Sequence, residues 1–85
     1  MPKFYFHVRN HGIFEEDPEG IDLPDLKSAE REAEAGARGI MAEDLVKGNE
    51  LDHRTFEIAD DSGQVLLLYP FSRALVLPRS DDDNR

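Results

Sequence analysis

The sequence predicts an α+β fold, in the order β-β-α-β-β, with one helix packed on an antiparallel sheet of three or four strands. Residues 3–9 and 54–59 alternate apolar and polar side chains with the period of two that a half-buried strand requires. Between them, residues 26–47 carry apolar side chains at helical spacing. A third strand-like run, residues 64–71, follows the second after a turn.

The first strand has two distinct faces. The apolar face carries Phe4, Phe6 and Val8. The more polar face carries Tyr5, His7 and Arg9. A turn is predicted at residues 10–12, where Asn and Gly tolerate a positive φ. Ile13 and Phe14 then begin a short returning strand, which makes the first unit a hairpin.

The segment that precedes the helix is strongly acidic. Residues 15–25 hold six carboxylates and no basic residue. Within it, residues 17–20 (Asp-Pro-Glu-Gly) match a tight turn, with Asp first, Pro fixing φ at the second position and Gly last. Turn and capping roles therefore account for most of its Asp, Pro and Gly residues.

The helix has clear ends. Asp25 is the predicted N-cap, with Ser28 as a second candidate, and the helix runs to about Lys47 before Gly48-Asn49 ends it. Its expected apolar stripe is Leu26, Ala29, Ala33, Ala37, Ile40 with Met41, and Leu45. Glu34 and Arg38 form a favourable i,i+4 pair on the solvent side.

The last strand, residues 64–71, is apolar on both faces. We therefore expect it to lie in the centre of the sheet or to be covered on its second face by a partner. Pro70 marks its end or an edge, because proline cannot donate to a ladder. Residues 72–78 form a further strand or a docking arm.

Length and composition indicate one domain, residues 1–78, followed by a disordered acidic tail, residues 79–85. A chain of 85 residues buries only about 60–65% of its unfolded surface, and without cysteine it has no disulfide to compensate. A partner subunit is the remaining common source of stability. Lack of cysteine also fits a reducing compartment.

The net charge of −9 argues against direct nucleic-acid binding and against anionic membranes, which require a basic face. The longest aliphatic run, Val65 to Leu68, is far below the ~18 residues of a membrane span. We expect a cytoplasmic protein whose partner is a basic protein or a second copy of itself.

No motif for catalysis, metal or cofactor is present. The sequence lacks a glycine-rich phosphate loop, a nucleophile elbow and zinc spacing, and the carboxylates of residues 17–25 do not follow a calcium loop. His7, His11 and His53 have no spacing that demands a metal. We predict no catalytic residue, no metal and no cofactor.

Binding is the more plausible use of the polar residues. One face of the first strand and the acidic residues that turns do not explain make up the candidate recognition set. Its members are Tyr5, His7, Arg9, Glu15, Glu16, Glu19 and Asp22.

The run Phe4 to Arg9, followed by Glu19 to Leu26 and an Ala/Glu/Arg-rich helix, resembles a family of short uncharacterised bacterial proteins. The likeness continues through residues 60–63 and 65–71 and covers most of residues 3–75. The resemblance implies no activity and supplies no functional residue. The strand hairpin, the acidic Leu23-Pro24-Asp25-Leu26 loop and the alanine-rich helix also resemble HicB-type antitoxins, over residues 3–45.

Three functional hypotheses follow. The first is a non-enzymatic, homodimeric protein-interaction module whose acidic surface meets a basic partner. The second is a small enzyme or ligand-binding protein that uses His7, Arg9 and a carboxylate of residues 15–22. The third is an antitoxin-like neutraliser of a basic protein, whose carboxylates imitate phosphates.

Overall fold

The computed structural model describes residues 1–50 and 53–75. In chain order the elements are β1 (Lys3–Asn10), β2 (Ile13–Glu15), β3 (Ile21–Asp22), α1 (Leu26–Lys47), β4 (Arg54–Ala59), β5 (Val65–Pro70) and a 3-10 helix (Phe71–Leu75). The predicted α+β class is confirmed. The two-residue β3 adds a fifth strand to the sheet, and the predicted tail at residues 79–85 lies outside the described residues.

The sheet is antiparallel in the order β2-β1-β4-β5, and β3 pairs with the start of β1. Pairing of β1 with β4 extends over six positions, from Tyr5 opposite Ala59 to Asn10 opposite Arg54. The predicted hairpin of β1 and β2 is confirmed, with His11 and Gly12 at positive φ between them. One side of β1 is thus shared by two short strands and the other is held by β4.

The central position that the sequence predicted as one alternative for β5 is wrong. It lies at an edge of the sheet, not in the centre, because β1 occupies the other side of β4. Leu66 and Leu68 are 38% and 57% exposed, and Leu68, which pairs with Glu57, lies on the face away from the helix. The edge position predicted as one alternative for Pro70, the last residue of β5, is confirmed.

The ends of α1 are the predicted ones. The Asp25 side chain accepts a hydrogen bond from the Ser28 backbone N–H at 2.8 Å, so Asp25 is the cap and Ser28 the donor. At the other end Gly48 takes φ 75°, and the amides of Gly48 and Asn49 bond to the Leu45 and Asp44 carbonyls. This Schellman arrangement satisfies carbonyls that the helix leaves unpaired.

A single row of small side chains joins the helix to the sheet. Buried on the helix are Ala29, Ala33, Ala37 and Met41, and facing them in the core are Phe4, Phe56, Ile58, Tyr69 and Phe71. The buried stripe is smaller than predicted, since Leu26, Ile40 and Leu45 are exposed. Leu26 and Leu45 continue the row beyond its two ends, and Ile40 lies one position to the side of Met41, so the contact with the sheet is limited to the middle of the helix.

The chain after β5 turns back under the helix. Phe71 is fully buried, with its ring centroid 4.6 Å from that of Phe56. Residues 72–75 therefore belong to a 3-10 helix and not to a further strand, while residues 76–78 lie outside the described part of the chain. Among residues 1–50 and 53–75, no helix combines the length and apolar character needed to cross a membrane.

Candidate interaction cleft

The acidic loop between β2 and β3 folds back onto β1 through Asp17. Its carboxylate accepts hydrogen bonds from the backbone N–H groups of Phe6 at 3.1 Å, Glu19 at 3.2 Å and Gly20 at 3.3 Å. The Asp17 N–H in turn donates to Nδ1 of His7 at 3.0 Å. The turn predicted at residues 17–20 is therefore present, and it is also tied to the sheet.

This environment keeps Asp17 ionised. Partial burial acts to raise the pKa of the Asp17 carboxyl, but the amides of Phe6, Gly20 and Glu19, with a smaller contribution from His7, lower that pKa overall. Asp17 therefore contributes a fixed negative charge at neutral pH.

Gly20 allows the loop to approach β1. Its φ of +70° lies in the left-handed region, and a Cβ built there would lie 2.8 Å from Cγ of Lys3 and 2.9 Å from Cε2 of Tyr5. Only glycine fits such an approach without a shift of the neighbouring side chains. The backbone of the loop consequently rests against the Tyr5 ring.

A second turn, Asp60–Gly63, stands beside this loop. The Asp60 carboxylate accepts from the backbone N–H of Ser62 at 2.9 Å, from its hydroxyl at 2.7 Å and from the Gln64 N–H at 3.0 Å. The Ser62 hydroxyl is the largest cause of the lowered pKa of Asp60. Because Tyr5 pairs with Ala59, the turn after β4 lies at the same end of the sheet as the acidic loop.

The two turns enclose a cleft of about 310 Å³. Its chemically active lining residues are Tyr5, His7, Glu16, Asp17, Asp60 and Asp61. Four of them are carboxylates, and no lysine or arginine lines the cleft. Asp17 and Asp60 are engaged by backbone amides, whereas Glu16 and Asp61 have no hydrogen bond or ion pair with any residue in 1–50 or 53–75.

Two rings are part of the lining of this cleft. Tyr5 and His7 are stacked, with centroids 6.2 Å apart and planes at 16°. Because Nδ1 of His7 accepts the Asp17 N–H, the neutral His7 ring carries its proton on Nε2. The described residues include no group of three histidine or acidic side chains placed to hold a metal ion.

Three of the seven candidate residues, Tyr5, His7 and Glu16, meet at the cleft. Arg9 does not: its Nε lies 2.6 Å from a Glu57 carboxylate oxygen, and its guanidinium stands 4.7 Å above the Phe14 ring. The hydrogen bond to Glu57 is the main cause of the raised pKa of Arg9.

The remaining candidates lie apart from the cleft. Asp22 forms a loose ion pair with Lys3 at 3.9 Å, and Glu15 and Glu19 are exposed away from the cleft lining. Conversely, Asp60 and Asp61 line the cleft but were not among the predicted binding residues, because they lie in the turn between the second and third strand-like runs of the sequence. The pairing of β1 with β4 is the signal that would have placed them beside the acidic loop.

A larger cleft, about 410 Å³, lies between the helix and Tyr69. Its carboxylates are already paired, Glu30 with Arg73 at 3.1 Å and Glu34 with Arg38 at 2.9 Å, which confirms the predicted i,i+4 pair. The smaller cleft is the better recognition candidate because its charge is of one sign and two of its carboxylates are free among the described residues.

Comparison with known proteins identifies a family but adds no activity. No curated protein and no solved structure matches this chain. The family model described as Domain of unknown function (DUF6894) matches residues 3–72, most of the span over which a family resemblance was expected. On that match, the chain belongs to the DUF6894 family of domains of unknown function.

Proposed function

We propose that this chain is a small non-enzymatic protein-interaction module, acting as a homodimer, whose acidic cleft receives a lysine or arginine side chain of a basic partner protein. The observation that carries the proposal is the cleft between the Asp17 and Asp60 turns, which gathers four carboxylates and no lysine or arginine. We further propose that it works in the bacterial cytoplasm, which the lack of cysteine fits.

The carboxylates of the cleft differ in their hydrogen bonding, and this difference supports a cationic ligand. Asp17 and Asp60 are held by backbone amides, so they supply charge without moving. Glu16 and Asp61 keep their oxygens available to a ligand within the described part of the chain. A guanidinium or ammonium entering the cleft would exchange water for hydrogen bonds to ionised acceptors, the stronger class of hydrogen bond.

The aromatic part of the lining supports the same ligand class. The Tyr5 ring lies in the cleft beside His7, and a cation over a tyrosine face gains about 0.5–1 kcal/mol at an exposed site. An anion would meet four carboxylates, and an apolar group would leave them poorly solvated. The cleft therefore favours a basic side chain over either.

The two other hypotheses have different support. An antitoxin-like neutraliser would use the same cleft and the same basic partner, and differs only in the consequence for that partner. A ligand-binding protein or enzyme would need His7 and Arg9 at one site, but Arg9 is engaged by Glu57 outside the cleft that His7 lines.

Binding of hexa-arginine, with hexaglutamate as the negative probe, tests the proposed ligand class. Nuclear magnetic resonance titration should move the amides of Tyr5, His7 and residues 60–63 at low salt, with affinity falling as salt rises. The double variant Glu16→Gln/Asp61→Asn should weaken binding about 5- to 10-fold, since each exposed ion pair contributes up to about 1 kcal/mol.

The matched control is Glu32→Gln/Glu43→Gln, which makes the same charge change at exposed positions of α1. It should alter the affinity less than about twofold. Equal losses in both double variants, or shifts spread over the whole surface, would show general electrostatic attraction and count against the cleft.

A further inference from the structure

The two edges of the sheet are protected very differently. At one edge, β2 has three residues and β3 two, and acidic residues follow or belong to both strands. At the other edge, β5 has six residues, and none of the residues described in 1–50 and 53–75 pairs with its outer side. Short, charged edges resist pairing with another chain, whereas a long uncharged edge invites it.

Charge is absent from β5 and from its surroundings in the sequence. Residues 62–72 form an uncharged run of 11, the longest in a chain with 29 acidic and basic residues. Val65, Leu66 and Leu68 are 44%, 38% and 57% exposed. The outer edge of β5 thus presents unpaired backbone groups flanked by apolar side chains.

We infer that two copies of this chain pair through β5, antiparallel about a two-fold axis near Leu68, so that their sheets become continuous. This inference rests on the homodimer of the proposed function, and it identifies β5 as the surface through which the two copies associate. The regular part of β5, paired with β4 without a break, is Leu67–Pro70, and within it Leu68 is an exposed large apolar residue.

Backbone chemistry and the lack of charge on β5 both fit a second copy at this edge. Unpaired N–H and C=O groups of a strand edge are satisfied by another extended strand, and a two-fold axis makes each strand complementary to itself. Two copies carry −9 each, so most approaches bring carboxylates together. The uncharged edge is the approach with the least repulsion, and it brings the Leu68 side chains of both copies side by side on the face away from the helix.

Sedimentation measured at protein concentrations of about 1–500 µM tests the inference. This range suits the weak dimerisation expected of an interface that buries little surface area. Leu68→Lys should raise the dimer dissociation constant at least about tenfold, because a lysine on an edge strand opposes pairing. The matched control is Ile13→Lys on β2, at the opposite edge, where the side chain is 64% exposed. It should leave dimerisation unchanged, and circular dichroism checks that both variants fold.

The register has its own test, since the chain contains no cysteine. Directly opposed residues of antiparallel strands have Cα atoms about 4.5–5.5 Å apart, within the range of a disulfide. Under mild oxidation Leu68→Cys should form a covalent dimer and Ile13→Cys should not. In the wild type, amide exchange of residues 66–69 should slow as concentration rises.

The outcomes separate the inference from the function it rests on. A dimer that survives Leu68→Lys and is not cross-linked through Leu68→Cys overturns the β5 pairing and leaves the homodimer standing. A monomer at every concentration overturns both. Binding of hexa-arginine is measured independently of either result.

Discussion

Two turns with the same Asp-x-x-Gly pattern, Asp17–Gly20 and Asp60–Gly63, stand on opposite sides of the acidic cleft. In each, the aspartate carboxylate accepts backbone N–H groups of the residues that follow it. The difference lies in what each turn contacts beyond itself. The first reaches across to β1, through the Phe6 N–H and the His7 ring, whereas the second is bonded only within its own hairpin among the described residues.

The glycines show the same contrast. Gly20 and Gly63 have φ of +70° and +89°, but a Cβ at Gly20 would collide with Lys3 and Tyr5, while one at Gly63 would meet nothing within 4 Å. One motif therefore serves as a tertiary tether in one place and as a local turn in the other. Turn chemistry alone explains the second turn; the first also fixes the geometry of the cleft.

The strongest test of this contrast removes each aspartate in turn. Asp17→Ala should lower the free energy of unfolding by about 2 kcal/mol, because it leaves the Phe6 amide without its acceptor and releases the loop. Asp60→Ala, which loses only local bonds at an exposed position, should cost clearly less. Urea unfolding of both variants measures the difference, and equal losses would mean that Asp17 is no tether.

The second test adds a methyl group to each glycine. Either substitution puts an L-residue at positive φ, which costs about 1–2 kcal/mol. Gly20→Ala should cost about 1 kcal/mol more than Gly63→Ala, since its new Cβ must displace Lys3 and Tyr5. Thermal unfolding ranks the pair, and the Tyr5 ring resonances should shift in Gly20→Ala alone. A Tyr5 ring unmoved by that substitution would contradict the close approach.

Much of the fold follows from local sequence chemistry. The Asp25 cap, the Gly48 stop and the Glu34–Arg38 pair depend on residues no more than five positions apart, so sequence spacing suffices to predict them. Alternation likewise predicts which face of β1 and β4 is buried, because side-chain direction has a period of two.

Sequence spacing says much less about which strands become neighbours. The apolar pattern of β5 does not distinguish a central strand from an edge strand. Because β1 pairs with one side of β4 and β5 with the other, β5 lies at the edge of the sheet. The pairing of β1 with β4 brought Asp61 beside Glu16, residues 45 positions apart, and left Arg9 outside the cleft. The cleft is a product of tertiary contacts, which explains why only Tyr5, His7 and Glu16 of its lining were in the predicted binding set.

The smallest expected effect is the response of the Asp17 tether to pH. Its folded-state pKa is lowered from the ordinary value near 3.9, so the ionised carboxylate stabilises the fold above about pH 4. This contribution is lost as the pH falls through the folded pKa.

Asp17→Asn, which keeps one acceptor oxygen, should therefore be less stable than the wild type at pH 7. The difference should be under about 1 kcal/mol, because Asp17 is only partly buried and solvent screens its charge. The two unfolding curves should converge as the pH falls below about 4 and through the folded-state pKa. Comparing the two proteins at each pH removes the acid sensitivity that both share through their other carboxylates. A gap that persists unchanged at low pH would assign the effect of the substitution to shape and not to charge.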